Sequence, residues 1–126
     1  MTTQRSFDVA IAGGGVIGSA VAYFLMAHPG FDGSVCVIER DPTYQTGATG
    51  RSAGSIRQQF STPENIRMSR FGIDFLKGLG ETLAVEGERP DVQLHEHGYL
   101  FLASDEGLPV LRENHAVQAA EGAPVA

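Results

Sequence analysis

The sequence has a single cysteine, no apolar stretch near the ~20 residues needed to cross a bilayer, and no surplus of positive charge. Cys36 has no second thiol in the chain, which excludes an internal disulfide. It alternates with Val35 and Val37 in a predicted strand, so burial as a small apolar side chain and a reducing cytoplasm are expected. Nine Lys and Arg stand against fifteen Asp and Glu, giving a net charge of -6 and a pI near 5.0. Nucleic acid and membrane surfaces call for excess Lys and Arg, so neither is the expected partner; a small molecule or another protein is. The amino end, Met1 to Ser6, has one Arg and no apolar run, and neither a signal nor a transit peptide is expected there. Internal repeats and long charged blocks are also absent. With 126 residues there is room for about one complete domain.

Sixteen glycines fall at the ends of periodic segments and read as punctuation in an ordered chain. The most informative stretch runs from Asp8 to Arg40. An apolar run from Phe7 to Ala12 predicts a strand covered on both faces, with Asp8 at its exposed start. It enters Gly13-Gly14-Gly15-Val16-Ile17-Gly18, and Ala20, Val21, Phe24 and Leu25 then recur at helical spacing until His28-Pro29-Gly30. Val35 to Ile38 forms a second apolar run that ends on Glu39. A strand, a helix and a parallel strand in about thirty residues make a right-handed βαβ unit. In such a unit Gly13 permits the tight turn, Gly15 keeps side-chain bulk off a pyrophosphate, and Gly18 lets the helix pack close to the sheet. The helix start, with Val16 and Ile17, offers N–H groups and partial positive charge to phosphates. Glu39 lies 21 residues beyond Gly18, where an acid accepts hydrogen bonds from the hydroxyls of an adenosine ribose and repels a 2′-phosphate. Dinucleotide binding follows from this context; the unit does not separate FAD from NAD, which share the ADP half.

Residues 42–55 are small and polar, with almost no hydrophobic periodicity, and a loop of that length in a compact domain points to function. Beyond it, Ser61-Thr62-Pro63-Glu64 starts a helix, either through a Ser61–Glu64 capping box or with Thr62 as cap and Pro63 in the first turn. Met68, Phe71, Phe75 and Leu79 supply its expected core stripe, broadened by Ile66, Ile73 and Leu76, before Gly78 and Gly80 end the element. Gly87 to Pro90 reads as a turn. Val92 to His95 and Tyr99 to Ala103 read as two strands joined at His97-Gly98 in an antiparallel hairpin. His95 and His97 share one face of an extended strand without the carboxylates or cysteines that would complete a metal site, and no metal is expected. Leu108 to Ala120 predicts a final amphipathic helix.

The run Gly47-Ala48-Thr49-Gly50-Arg51-Ser52-Ala53-Gly54-Ser55-Ile56-Arg57-Gln58-Gln59-Phe60, followed by Pro63-Glu64-Asn65-Ile66 and Gly98-Tyr99-Leu100, resembles the FAD-dependent D-amino-acid oxidase superfamily. Its sarcosine and dimethylglycine oxidoreductase branch and the mitochondrial FAD-dependent oxidoreductase-domain proteins are most similar. The resemblance implies FAD as cofactor, with Gly13, Gly15 and Gly18 at the pyrophosphate, Glu39 at the adenosine ribose and Arg40 bordering the adenine. It places Thr49, Ser52, Ala53 and Gly54 along the pyrophosphate and isoalloxazine. Arg57 falls near the flavin, where a cation raises electron affinity or attracts a substrate carboxylate. The implied reaction is C–N oxidation of an amine or amino acid to an imine. The implied fold is α/β: a Rossmann-like FAD-binding unit with parallel strands over residues 1–90, then the start of a second, α+β substrate domain over residues 91–126. Members of the superfamily run to several hundred residues, so the chain is expected to be the front piece of an enzyme, inactive alone. A flavin-binding assembly or scaffold protein and an NAD-linked dehydrogenase are the competing readings; the second gives no reason for the Gly47 to Phe60 run.

Overall fold

The computed structural model describes residues 5–126. Residues 1–4, which carry most of the amino-terminal stretch read above as free of a targeting signal, lie outside the described residues. The chain is mixed α/β and divides into two compact units, residues 1–54 and 55–126.

In the first unit, β1 (Val9–Ala12) pairs in parallel with β2 (Val35–Ile38), in the register Val9↔Val35 to Ala12↔Ile38, and α1 (Val16–Met26) makes the crossover. The sequence dictates this order locally. Alternating half-buried Val9 and Ile11 put one face of β1 under the helix, and the small Ala22 on α1 permits close approach. The expectation that β1 is covered on both faces is corrected: Ala10 and Ala12 are exposed, because only one helix covers the pair within this unit. Cys36 is half-buried rather than fully enclosed. Asp8 stands at the exposed strand start as expected, and its Oδ2 accepts hydrogen bonds from the Ser34 N–H and hydroxyl, both at 2.7 Å. Those bonds hold its carboxyl below the ordinary range.

Gly18 shows how tightly helix and turn meet. A Cβ built there would overlap the Gly13 carbonyl oxygen and press on Ile11 at 3.3 Å. Gly18→Ala is therefore expected to destabilise the full-length protein by about 1–3 kcal/mol, since backbone cannot yield as a side chain does. Thermal unfolding checks this, and an unchanged midpoint contradicts it.

In the second unit, α2 (Pro63–Lys77) takes Thr62 as its N-cap with Pro63 in the first turn, which settles the start in favour of the second alternative; no side-chain capping bond from Ser61 or Thr62 forms. A short α3 (Leu79–Thr82) follows Gly78, and α4 (Leu108–Ala120) packs on α2. The core stripe is centred differently from the expectation. Ile66, Ile73 and Leu79 are buried, whereas Met68 and Phe71 are 63% and 58% exposed. Ile66 and Ile73 are seven residues apart, two helical turns along one line, and the helix turns that line inward. Phe71 and Phe75 instead stack on each other with ring centroids 6.4 Å apart. Arg67 grips Glu121 through two hydrogen bonds of 2.7 and 2.8 Å, and Arg70 donates to the Glu121 carbonyl at 2.5 Å, tying α2 to the end of α4. The Arg67 contact holds the Glu121 carboxyl below its usual range.

The expected hairpin over Val92–His95 and Tyr99–Ala103 does not form; residues 91–100 carry no regular structure, and among the described residues the sheet has two strands. A strand requires a ladder partner, and this stretch pairs with none among the described residues; Leu100 and Leu102 stand 84% and 87% exposed. Positive φ at Gln93 and Gly98 also interrupts extension. The turn expected at Gly87 to Pro90 centres instead on Glu86 and Gly87, with φ of 52° and 90°, where Val85 and Glu88 exchange hydrogen bonds of 3.0 and 2.9 Å. Two consecutive positive φ values suit the mirror-image turn that joins paired chains.

Candidate functional site

The glycine turn joins β1 to α1. Gly13 has φ 99°, a conformation that glycine alone adopts without strain, and its N–H extends the parallel ladder to the Ile38 carbonyl at 2.8 Å. Gly14 is buried. Its N–H donates to Glu39 Oε2 at 2.6 Å, and its carbonyl accepts from the Ser19 hydroxyl at 2.8 Å. Gly15 caps α1 without a side-chain bond, and no acidic residue sits in the first helical turn, so the carboxylate at this helix start is that of Glu39, reaching in from the end of β2. The Val16 N–H donates to Thr49 Oγ1 at 3.0 Å, and a Cβ on Gly15 would lie 3.0 Å from that same oxygen.

Glu39 closes the other side. Its Oε1 accepts from the Asp41 N–H at 2.8 Å while Oε2 holds Gly14, and these bonds, the Asp41 one foremost, keep the carboxyl below its ordinary range. Each oxygen keeps a further lone pair with which to accept a hydroxyl. Asp41 then organises the following loop: Oδ1 accepts from the Thr43 N–H and hydroxyl at 3.0 and 2.6 Å, and Oδ2 from the Thr46 N–H and hydroxyl at 2.9 and 2.6 Å. Four donors, the two hydroxyls foremost, hold its carboxyl far below the usual carboxylate range.

Gly13, Gly15, Val16, Gly18, Glu39 and Thr49 are thus brought together at one turn, with Ile17 exposed in the first turn of α1. Arg40 is exposed, and its backbone is among the groups whose hydrogen bonds lower the Glu39 carboxyl. Thr49 lies in a short 3₁₀ turn, Thr49–Arg51. Past it, Ser52 Oγ accepts from the Gly54 N–H at 3.2 Å, with Ala53 exposed between them and Gly54 at φ 67°. Arg57 belongs to the second unit, where its guanidinium lies 4.8 Å from the Phe60 ring centre and 6.0 Å from that of Phe101, and its carbonyl accepts from Ser69. His95 and His97 stack with ring centroids 6.0 Å apart, and no group of three metal-ligating side chains occurs among the described residues. No helix among them is long and apolar enough to cross a membrane.

The residues that sequence reasoning missed are Asp41, Thr43, Thr46, Tyr44 and Ser19. Asp41 with Thr43 two residues on is an Asx-turn signal and was available to find.

A side-chain-free turn at a helix start, followed by a strand ending in an acid that reaches back to it, defines a dinucleotide-binding unit. Residues 8–126 match the family described as FAD dependent oxidoreductase, DAO, and the chain belongs to that family, whose enzymes depend on FAD. This bears out the resemblance read from the Gly47 to Phe60 run. The chain is similar to "FAD-dependent oxidoreductase domain-containing protein 1" of Xenopus laevis, 51% identical over 121 residues that cover 94% of this chain and 24% of that protein. It is 46% identical to the Bos taurus protein of that name over 125 residues, covering 97% and 26%. The homolog in Drosophila melanogaster is 41% identical over 120 residues, covering 95% and 23%. The chain therefore spans about a quarter of the length of these relatives. No solved structure matches it.

Proposed function

We propose that the chain supplies the ADP-binding part of an FAD-dependent oxidoreductase that oxidises the C–N bond of an amine or amino acid. The observation that carries this reading is the closure of Glu39 on Gly14, which sets a carboxylate beside a helix start with no side chains at Gly13, Gly15 and Gly18. The turn fits a pyrophosphate: the space that a Gly15 side chain would fill borders Thr49, and the hydroxyl that accepts from Val16 keeps its own proton to donate to a phosphate oxygen. Glu39 would take the ribose hydroxyls on its remaining lone pairs, with Arg40 beside the adenine. Ser52, Ala53 and Gly54 would continue the lining toward the flavin. Bound FAD supplies the two-electron acceptor for the reaction. Arg57 would draw a substrate carboxylate or favour the electron-rich flavin. Residues 1–90 would belong to the FAD-binding domain and residues 91–126 would begin the substrate domain. A reducing compartment such as the cytoplasm suits the free Cys36 thiol.

A panel of secondary amines and amino acids, added without oxygen to the flavin-loaded full-length protein, tests the substrate class. At least one is expected to bleach the flavin absorbance, and Arg57→Ala is expected to slow that bleaching about tenfold or more while the flavin stays bound. No bleaching across the panel refutes amine oxidation, and unchanged reduction kinetics in the variant remove Arg57 from the site.

A further inference from the structure

Tyr44 is one of three non-glycine residues with positive φ among the described residues, at 58°. Such a conformation is costly for a bulky side chain and persists only where the surroundings over-determine it. Here they do. The Tyr44 N–H donates to the Asp41 carbonyl at 3.0 Å, its own carbonyl accepts from Gly47 at 3.4 Å, and the Asp41 carboxylate pins Thr43 before it and Thr46 after it. The result is a stapled loop that delivers one side chain to one place. The Tyr44 hydroxyl oxygen sits 3.0 Å, and its ring edge 3.4 Å, from where a Gly14 Cβ would be.

The Gly14 backbone does not take up the hydroxyl. Gly14 gives its N–H to Glu39 and its carbonyl to Ser19, and Tyr44 Oη has no hydrogen-bond partner among the described residues. Tyr44 is also 51% exposed, so the ring covers the turn without being enclosed by it. A phenol held by a strained, four-donor staple beside a carboxylate and a glycine turn is a donor set aside for a ligand. We propose that Tyr44 is a binding residue for the ADP half of the dinucleotide, donating its hydroxyl proton to a phosphate or ribose oxygen there, and that Asp41 is the positioning residue that holds it. This assignment rests on the FAD reading above and adds to it the group that binds at the Gly14 side of the turn. The ADP half is common to FAD and NAD, so the test must include both.

The test titrates flavin-stripped full-length protein with FAD, following flavin fluorescence, and with ADP and NAD as competitors. Tyr44→Phe keeps the ring and removes only the hydroxyl; it is expected to weaken FAD and ADP by the same factor, about tenfold. Asp41→Asn is expected to weaken both in the parent protein and to add little in the Tyr44→Phe background, because it acts through the tyrosine. Circular dichroism and melting of Tyr44→Phe should match the parent. Unchanged FAD affinity in Tyr44→Phe, a loss for FAD without one for ADP, or additive effects of the two substitutions overturns the assignment. Gly15→Val run in parallel separates the two levels: if it retains FAD, the placement of the cofactor fails; if it loses FAD while Tyr44→Phe is unaffected, only the tyrosine's role fails. NAD, which shares only the ADP half, is expected to compete no better than ADP, and tighter binding of NAD than of FAD would refute the flavin assignment itself.

Discussion

Gly15→Val is expected to abolish FAD binding by the full-length protein while leaving it folded. The position is the N-cap of α1 and its backbone is extended, with φ -64° and ψ -175°, so valine meets no backbone barrier. The obstacle is space. Its Cβ alone would stand 3.0 Å from the Thr49 hydroxyl oxygen, and the two methyl groups beyond it must enter the volume that the turn otherwise leaves to a pyrophosphate. Pushing Thr49 aside also releases the Val16 N–H. Both effects act on the same few ångströms, so flavin content in the purified variant should be close to zero with circular dichroism unchanged. Normal flavin content would move the cofactor away from this turn.

Removing the Glu39 carboxylate is expected to have the next largest effect. Glu39→Ala deprives the Gly14 and Asp41 N–H groups of their acceptor and takes away the proposed ribose contact, so FAD affinity should fall about 100-fold. Glu39→Gln keeps one acceptor oxygen but sets an NH₂ group against one of the two N–H donors, and an intermediate loss is expected. The pH dependence follows from the direction of the shift. The folded carboxyl titrates below its ordinary value of 4.5, so its contribution is fully present above that pH and disappears as pH falls through the lowered value. FAD affinity measured from pH 5 to 8 should therefore show no step from Glu39. Equal affinity in the parent and Glu39→Ala would exclude the residue from the site.

The parts of the fold legible in the sequence are those whose hydrogen bonds are local or whose pairing is enforced by a short crossover. Helices α1 and α4 fall where the 3.6-residue period places them, and β1 pairs β2 because the turn and α1 leave the strands adjacent. Tyr99 to Ala103 has the composition of a strand, but composition cannot supply an edge to pair with, and its apolar side chains remain exposed. The α2 stripe was displaced toward Ile66 and Ile73 because seven apolar residues leave the facing direction of a helix undecided until α4 is seen to pack on it. At the candidate site, glycine spacing and the acid after β2 were readable because each has a separate steric or charge requirement. The mutual grip of Glu39 and Gly14 was not, since it depends on how far a side chain reaches across the turn. The Asp41 staple was readable in principle, as an Asx turn, but its consequence for Tyr44 exists only in three dimensions.

The central claim is that this βαβ unit holds the ADP half of FAD. The most direct measurement is the identity and amount of nucleotide released on denaturing freshly purified full-length protein, by chromatography against standards. The expected result is FAD at close to one per chain, lost in Gly15→Val. Release of a nicotinamide dinucleotide, or of FAD in undiminished amount from Gly15→Val, would contradict it.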